Sequence, residues 1–313
     1  MDYFLQQLVN GLAVGSLYAL IALGYTMVYG VLRLINFAHG EVFMVGAFAG
    51  AYTARALTGD KTEQTFWQAC VGVMVAVMVC SILGWAIERF AYRPLRNSSR
   101  LSALITAIGV SLLIQNLANI EWQFAGYRWF GSTPTNYPAI IGAGEPVQVI
   151  HRLLGVNVVW KDVLLLATTG AVLVVLWFIV QRTRSGKAMR AVSQSYDSAR
   201  LMGVNIDRIV SFTFILGSAM AAVGGCLFCI KNPSATPTMG VIFGLKAFVA
   251  AVIGGIGNIP GAAAGGLLLG LVETFVSSMG YSRYESAIAF VILVMVLLIK
   301  PEGIFGKAAP EKV

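Results

Sequence analysis

Nine apolar runs decide what this chain can become. They lie near 8–31, 34–55, 66–88, 101–119, 162–181, 210–230, 241–257, 261–280 and 285–300, and only 241–257 and 285–300 fall clearly short of bilayer length. A hydrocarbon layer takes about 20 helical residues to cross. Inside it no water satisfies a backbone N–H or C=O, so a crossing segment has to bond internally. The expected fold is an all-α integral membrane protein, a polytopic bundle of about 8–9 transmembrane helices in one domain over 1–313. Charged residues make up 12% of the chain, half of the roughly 25% usual in a soluble domain. The first residues, Met-Asp-Tyr-Phe-Leu, lack a basic n-region, so no cleaved signal peptide is expected.

The net charge of +8 does not point to nucleic acid, because the basic residues flank the apolar runs. Arg89, Arg93, Arg96 and Arg100 follow the third run. Arg182, Arg184, Lys187, Arg190, Arg200 and Arg208 follow the fifth. With Arg33, Lys300, Lys307 and Lys312 these make fourteen on one face, against seven on the other (Arg55, Lys61, Arg128, Arg152, Lys161, Lys231, Arg283). The richer face is expected in the cytoplasm. Nine crossings then put the N-terminus outside and the C-terminus inside, a count that a re-entrant segment would change.

One stretch breaks the pattern. Between Gly30 and Ala47, the polar residues Asn36, His39 and Glu41 sit within six positions, with Gly30, Gly40, Gly46 and Gly50 around them. Polar groups in hydrocarbon usually face protein or a water-filled path, and glycines permit a helix break and close backbone approach. Two readings stay open. The stretch is a pathway element, a half-helix with Asn36 as its cap, or it is an ordinary cytoplasmic helix start with Arg33 among the headgroups. If it is helical, Asn36 and His39 share a face, while Glu41 lies about 140° round from Asn36. That spacing places Asn36 and His39 toward a pathway, with Glu41 bracing the break against Lys246.

The second half has its own dense stretch, Gly240–Gly270. Gly261-Ala-Ala-Ala-Gly265 and Gly266-Leu-Leu-Leu-Gly270 are small-xxx-small patterns that let helices approach closely. Gly254-Gly-Ile-Gly-Asn-Ile-Pro-Gly261 interrupts two apolar runs. It is not a dinucleotide loop, because Pro260 stands where the third glycine belongs and no strand precedes it. Lys246 and Glu273 are the intramembrane charges of this half. Both halves thus hold a glycine-interrupted segment with buried polarity, the pattern of transporters built from an internal repeat. The expected substrate-pathway residues are Asn36, His39, Glu41, Lys246 and Glu273.

Two loops are informative. The extracytoplasmic loop 120–161 carries Trp122, Tyr127, Trp129, Pro134, Pro138 and Pro146, and reads either as an interfacial aromatic belt or as a docking surface. In the cytoplasmic loop 182–208, Ala188, Ala191, Val192, Ser195, Ala199 and Met202 recur at helical spacing. They predict a short amphipathic helix with Gly203 as its stop and Asn205 capping the next span. That helix either lies on the membrane surface or enters a groove of a cytoplasmic partner. Small residues suit the second use better.

Several chemistries are excluded by residue type and spacing. Gly186-Lys187 and Gly306-Lys307 are each followed by alanine and lack the glycine spacing of a nucleotide-binding loop. His39 and His151 are too few and too separated for a metal site. Cys226 and Cys229 form a C-x-x-C without a redox or second-ligand setting, and read as helix packing. Neither a nucleophile elbow nor a catalytic carboxylate pair occurs.

Five motifs carry a family resemblance: Ile35-Asn-Phe-Ala-His-Gly-Glu41, Glu88-Arg-Phe-Ala-Tyr-Arg-Pro-Leu-Arg96, Gly244-Leu-Lys-Ala-Phe248, Gly254–Gly261 and Lys300-Pro-Glu-Gly-Ile-Phe-Gly306. They resemble permease subunits of bacterial ABC importers, in particular the H-type permease of the leucine/isoleucine/valine family. Urea and amide permeases carry a very similar first motif. The resemblance implies an inner-membrane subunit paired with a second permease, two cytoplasmic ATP-binding subunits and a periplasmic substrate-binding protein. It implies that this chain binds no cofactor, ATP being hydrolysed by the partners. It also favours ATPase coupling for the loop holding Gly186, Arg190, Ala191, Ala199 and Gly203. The competing classes are a self-sufficient secondary carrier, with Glu41, Lys246 and Glu273 as an ion relay, and a passive channel for a small polar solute.

Overall fold

Each of the nine apolar runs is helical. The computed structural model describes residues 2–59, 61–96, 98–124, 127–148 and 156–306; His151, Arg152, Lys307 and Lys312 lie outside the described residues. In chain order the helices are α1 (Asp2–Leu32), α2 (His39–Thr58), α3 (Phe66–Ile87), α4 (Arg100–Asn119) and α5 (Trp160–Arg182). Two short ones follow, α6 (Arg184–Gln194) and α7 (Tyr196–Leu201), and then α8 (Ile206–Lys231), α9 (Met239–Gly254), α10 (Ile259–Ser278) and α11 (Glu285–Ile299). Among the described residues, seven helical stretches are long and apolar enough to cross a membrane. The two runs outside that group are α2 and α9, the glycine-interrupted pair.

The helix starts follow local chemistry. Thr65 and Gln68 form a reciprocal capping box on α3. Asn205 accepts a hydrogen bond from the backbone N–H of Arg208 and so starts α8, as its position predicts. Asn258 does the same for Gly261 in α10, with Pro260 in the first turn. The loop 182–208 differs from expectation. It holds two helices rather than one, because Ser195 turns extended (φ −156°) and uses its hydroxyl to cap α7 at Ser198. A serine that bonds the backbone ahead of it competes with helix continuation. Gly203 takes the left-handed conformation (φ 80°) just beyond the end of α7.

α1 runs through the middle of the bundle, with α10, α8, α9 and α5 packed around it. α10 uses its two small-residue patterns on different neighbours. Gly266 and Gly270 lie against Ala19 and Gly15 of α1, while Gly261 and Gly265 lie against Gly254 and Ala250 of α9. α3, α4, α5 and α11 present large apolar side chains outward, Met74, Ile82, Leu113, Val174 and Leu298 among them. That is the surface expected to meet lipid or a second subunit.

The ends of the bundle differ. At one, Tyr3 of α1 donates to the carbonyl of Ser278 (3.0 Å) and Gln6 to that of Asn157 (3.0 Å). The long loop there is tied down by small strand pairs: β1 (Glu63–Gln64) with β5 (Ala139–Ile140) in parallel, β2 (Trp122–Phe124) with β3 (Tyr127–Trp129), and β4 (Thr135–Asn136) with β6 (Ser234–Ala235). At the other end lie α6, α7 and the tail, where Ile304 and Phe305 donate backbone bonds to the carbonyls of Ile253 and Gly254 at the foot of α9.

The arginine-rich end is expected to face the cytoplasm. In a background with Cys70, the partly exposed cysteine, replaced by serine, Asn136→Cys should react with an impermeant thiol reagent on intact cells. Ser98→Cys should react only after lysis. The reverse pattern would invert every facing assignment.

Candidate functional site

The site is built where α2 and α9 cross. Arg33–Ala38 leave the helical path after α1, and the chain re-enters helix only at His39, well inside the bundle: the ring of His39 lies against Gly24 of α1 and edge-on to Tyr25 (4.7 Å). α9 also begins among buried residues, since Gly240 and Gly244 both lie against Gly40. Phe37 meets Phe248 (6.0 Å) and Phe43 meets Phe243 (5.9 Å), so the two helices run antiparallel past each other. Their first turns therefore sit close together. Broken helices whose positive N-terminal ends converge inside a bundle form a polar station that apolar walls cannot supply.

Glu41 occupies that station. It is 1% exposed, and its Oε1 accepts from Ser111 of α4 (3.3 Å). Its Oε2 lies against Gly240 and has no hydrogen-bond partner among the described residues. The carboxylate thus sits in the first turn of α2 and beside that of α9, where two helix dipoles favour negative charge. Any side chain at 240 would collide with it.

Lys246 does not brace Glu41. Its Nζ is 3.0 Å from Oε1 of Glu273 and 3.1 Å from Oε2, and Glu285 stands 3.9 Å away. Tyr18 donates to Glu273 at 2.6 Å. The expected pairing fails because Lys246 lies on the side of α9 that faces α10 and α11, whereas Gly240 and Gly244 face α2. Asn36 also departs from its expected role. The helix begins three residues later, and the Asn36 side chain instead accepts from the N–H of Ala38 (3.2 Å) and from the hydroxyl of Tyr92 (3.1 Å).

The five expected pathway residues therefore fall into two groups, Asn36, His39 and Glu41 at the crossing and Lys246 with Glu273 along α9 and α10. All five are buried. A separate cavity of about 420 Å³ opens toward the tail end, lined by Thr26, Gly30, Gln181, Arg190, Ser193 and Asn258 among others.

In the loop 182–208, Gly186 packs directly on the carbonyls of Ile179 and Val180, leaving no room for a side chain. Arg190 donates to the Val180 carbonyl. Ala191 is half-buried, and Ala199 is buried within the chain rather than turned outward. What projects instead is the end of α7, where Leu201 is 89% and Met202 84% exposed.

Sequence reasoning missed an ionic cluster at the same end. Glu88, fully buried, pairs with Arg96 and accepts from Ser211 of α8 (2.6 Å); Arg93 and Arg96 both pair with Asp207. These residues lie inside a motif singled out above, but their arginines read only as markers of orientation. At the opposite end, Lys231 of α8 pairs with buried Asp162 of α5 (2.9 Å), which was also unforeseen.

A bundle of apolar helices with two broken ones converging on a buried carboxylate has the architecture of a multi-pass membrane protein, with a polar station of the kind found in transporters. The chain matches the family described as "Branched-chain amino acid transport system / permease component" over residues 7–297, and it belongs to that family. It is 40% identical over 311 residues to the high-affinity branched-chain amino acid transport system permease protein LivH of Escherichia coli strain K12, covering 99% of this chain and 98% of that one. It is 41% identical over 313 residues to the corresponding permease protein BraD of Pseudomonas aeruginosa, with the same coverage. A wider relative is the ribose import permease protein RbsC of Escherichia coli strain K12, 26% identical over 95% of this chain and 86% of that one. The protein is an inner-membrane permease component of an ABC transporter.

Proposed function

We propose that the chain is one permease subunit of an ATP-driven importer that carries branched-chain amino acids, or closely similar apolar amino acids, inward. The observation that carries this reading is the nearly full-length likeness to two permeases named for that transport. A second, related permease would pair with it, two cytoplasmic ATP-binding subunits would supply the energy, and a periplasmic binding protein would deliver the substrate. ATP is bound and hydrolysed by the partners, and this chain needs no cofactor of its own.

The geometry supports the division of labour. An amino acid needs a route with a few polar stations in apolar walls, and the crossing of α2 and α9 is of that kind. The exposed Leu201 and Met202 at the end of α7 suit insertion of a short helix into an apolar groove of an ATP-binding partner.

Proteoliposomes holding the complete set are expected to take up labelled leucine only with ATP inside the partners' compartment and binding protein on the opposite side. Vesicles with this chain alone are expected to show no uptake. Leucine uptake by the chain alone would replace this reading with a secondary carrier.

A further inference from the structure

The strap between α1 and α2, Arg33–Ala38, is held from two sides by elements of the coupling end. On one side Arg33 donates to the carbonyl of Ser193 in α6 (3.0 Å), and Tyr196 of α7 donates to that of Val31 (3.4 Å) in the last turn of α1, just before the strap. Arg33 itself has φ +55°, a conformation rare for a non-glycine residue and kept only where surroundings impose it. On the other side stands Tyr92. Its hydroxyl lies 3.3 Å from the carbonyl of Ile35 and 3.1 Å from Oδ1 of Asn36, and its ring packs on Phe214 of α8 (5.1 Å).

Tyr92 is set at that position by an irregularity. α3 does not end at Ile87 but widens into a π turn over Glu88–Tyr92 and then tightens into a 3₁₀ turn over Arg93–Leu95. Single π turns inside helices frequently mark functional positions. This one is pinned at both ends: Glu88 between Arg96 and Ser211, and Arg93 and Arg96 on Asp207. Asp207 lies in the first turn of α8, directly after the coupling loop. A chain of packed and bonded groups thus runs from that loop through Asp207, the arginines and the π turn to Tyr92, and ends on the break that starts α2.

We propose that Tyr92 is a positioning residue, which ties the Ile35–Asn36 break to the cytoplasmic loop so that movement driven by the ATP-binding partners reaches the crossing of α2 and α9. This rests on the permease reading above. The cluster of Glu88, Arg93, Arg96 and Asp207 acts as its anchor, and the hydroxyl of Tyr92 is the contact that transmits.

The test compares Tyr92→Phe and Asp207→Ala with the unaltered chain in the reconstituted complete transporter, scoring leucine transported per ATP hydrolysed. Tyr92→Phe keeps the ring against Phe214 and removes only the hydroxyl; Asp207→Ala releases the anchor from a partly exposed position. Both are expected to lower the ratio about fivefold or more, the shift that loss of one net hydrogen bond produces in a two-state element, while hydrolysis continues. The ratio is read on assembled complex, so a change in abundance alone does not move it. If Tyr92→Phe fails to assemble, Asp207→Ala decides. An unchanged ratio in the assembled variants overturns the proposal. Absence of ATP-dependent uptake by the unaltered chain would instead overturn the permease reading.

Discussion

Lys246→Met is expected to remove most of the protein from the membrane fraction. The change leaves Glu273 buried with its charge unmatched, because Lys246 is the cation at 3.0 Å and Tyr18 offers only a neutral hydroxyl. Breaking a buried pair from one side commonly costs about 3–5 kcal/mol, a large part of the roughly 5–15 kcal/mol that holds a folded domain together. Adding Glu273→Gln should restore abundance, since the amide oxygen still accepts from Tyr18 and no charge is stranded. Glu41→Gln serves as the contrast. Glu41 has no cation partner among the described residues, so this change should leave abundance near the unaltered level. Membrane abundance and the melting temperature of the detergent-extracted protein measure all of these. Equal abundance of Lys246→Met and the unaltered chain would mean that the pair faces water and contributes little.

Gly270→Val is expected to abolish assembly almost as fully. A Cβ at 270 would stand 2.2 Å from the Cα and backbone N of Gly15 and 2.8 Å from the carbonyl oxygen of Gly11. These are backbone atoms of the central helix, and none can turn aside as a side chain would. Overpacking a core costs about 1–3 kcal/mol where side chains adjust, and more where they cannot. The α1–α10 seam would have to part along its length. Gly109→Val in α4 is the control, because among the described residues nothing stands within 4 Å of a Cβ there. It should assemble normally. If the two variants melt together, close approach of α1 and α10 is not what holds the bundle.

These two expectations show where sequence reasoning reached its limit. Lys246 and Glu273 were recognisable as intramembrane charges, and Gly266 and Gly270 as a close-approach pattern, from residue type and spacing alone. Their neighbours were not. Helical periodicity tells which residues share a face, and says nothing about which helix that face meets. Lys246 was matched with the wrong carboxylate for this reason. The two small-residue patterns of α10 were legible as sites of close approach, but not their partners: Gly266 and Gly270 serve α1, and Gly261 and Gly265 serve α9.

The loop 182–208 and the break after α1 depart from expectation in a more local way. Ser195 fitted the small-residue period of a single helix, yet its hydroxyl caps the next one. Asn36 fitted a cap, yet its oxygen is shared between Ala38 and Tyr92, and helix starts at His39. In both places a short polar side chain had two ways to satisfy the backbone, and the surrounding packing chose between them. The cluster around Glu88 was invisible because its partners, Asp207 and Ser211, lie more than a hundred residues along the chain.

By itself the sequence determined the number and places of the apolar helices, the two interrupted ones, and the residues whose polarity is out of place in hydrocarbon. Those properties are enforced segment by segment, since each run must satisfy its own backbone in a medium without water. The tertiary structure decided which polar groups meet: Glu41 at the two helix starts, Lys246 on Glu273, and Tyr92 on the break. Such contacts depend on how the other apolar helices are arranged around α1, and that arrangement is set by packing between segments distant in the chain.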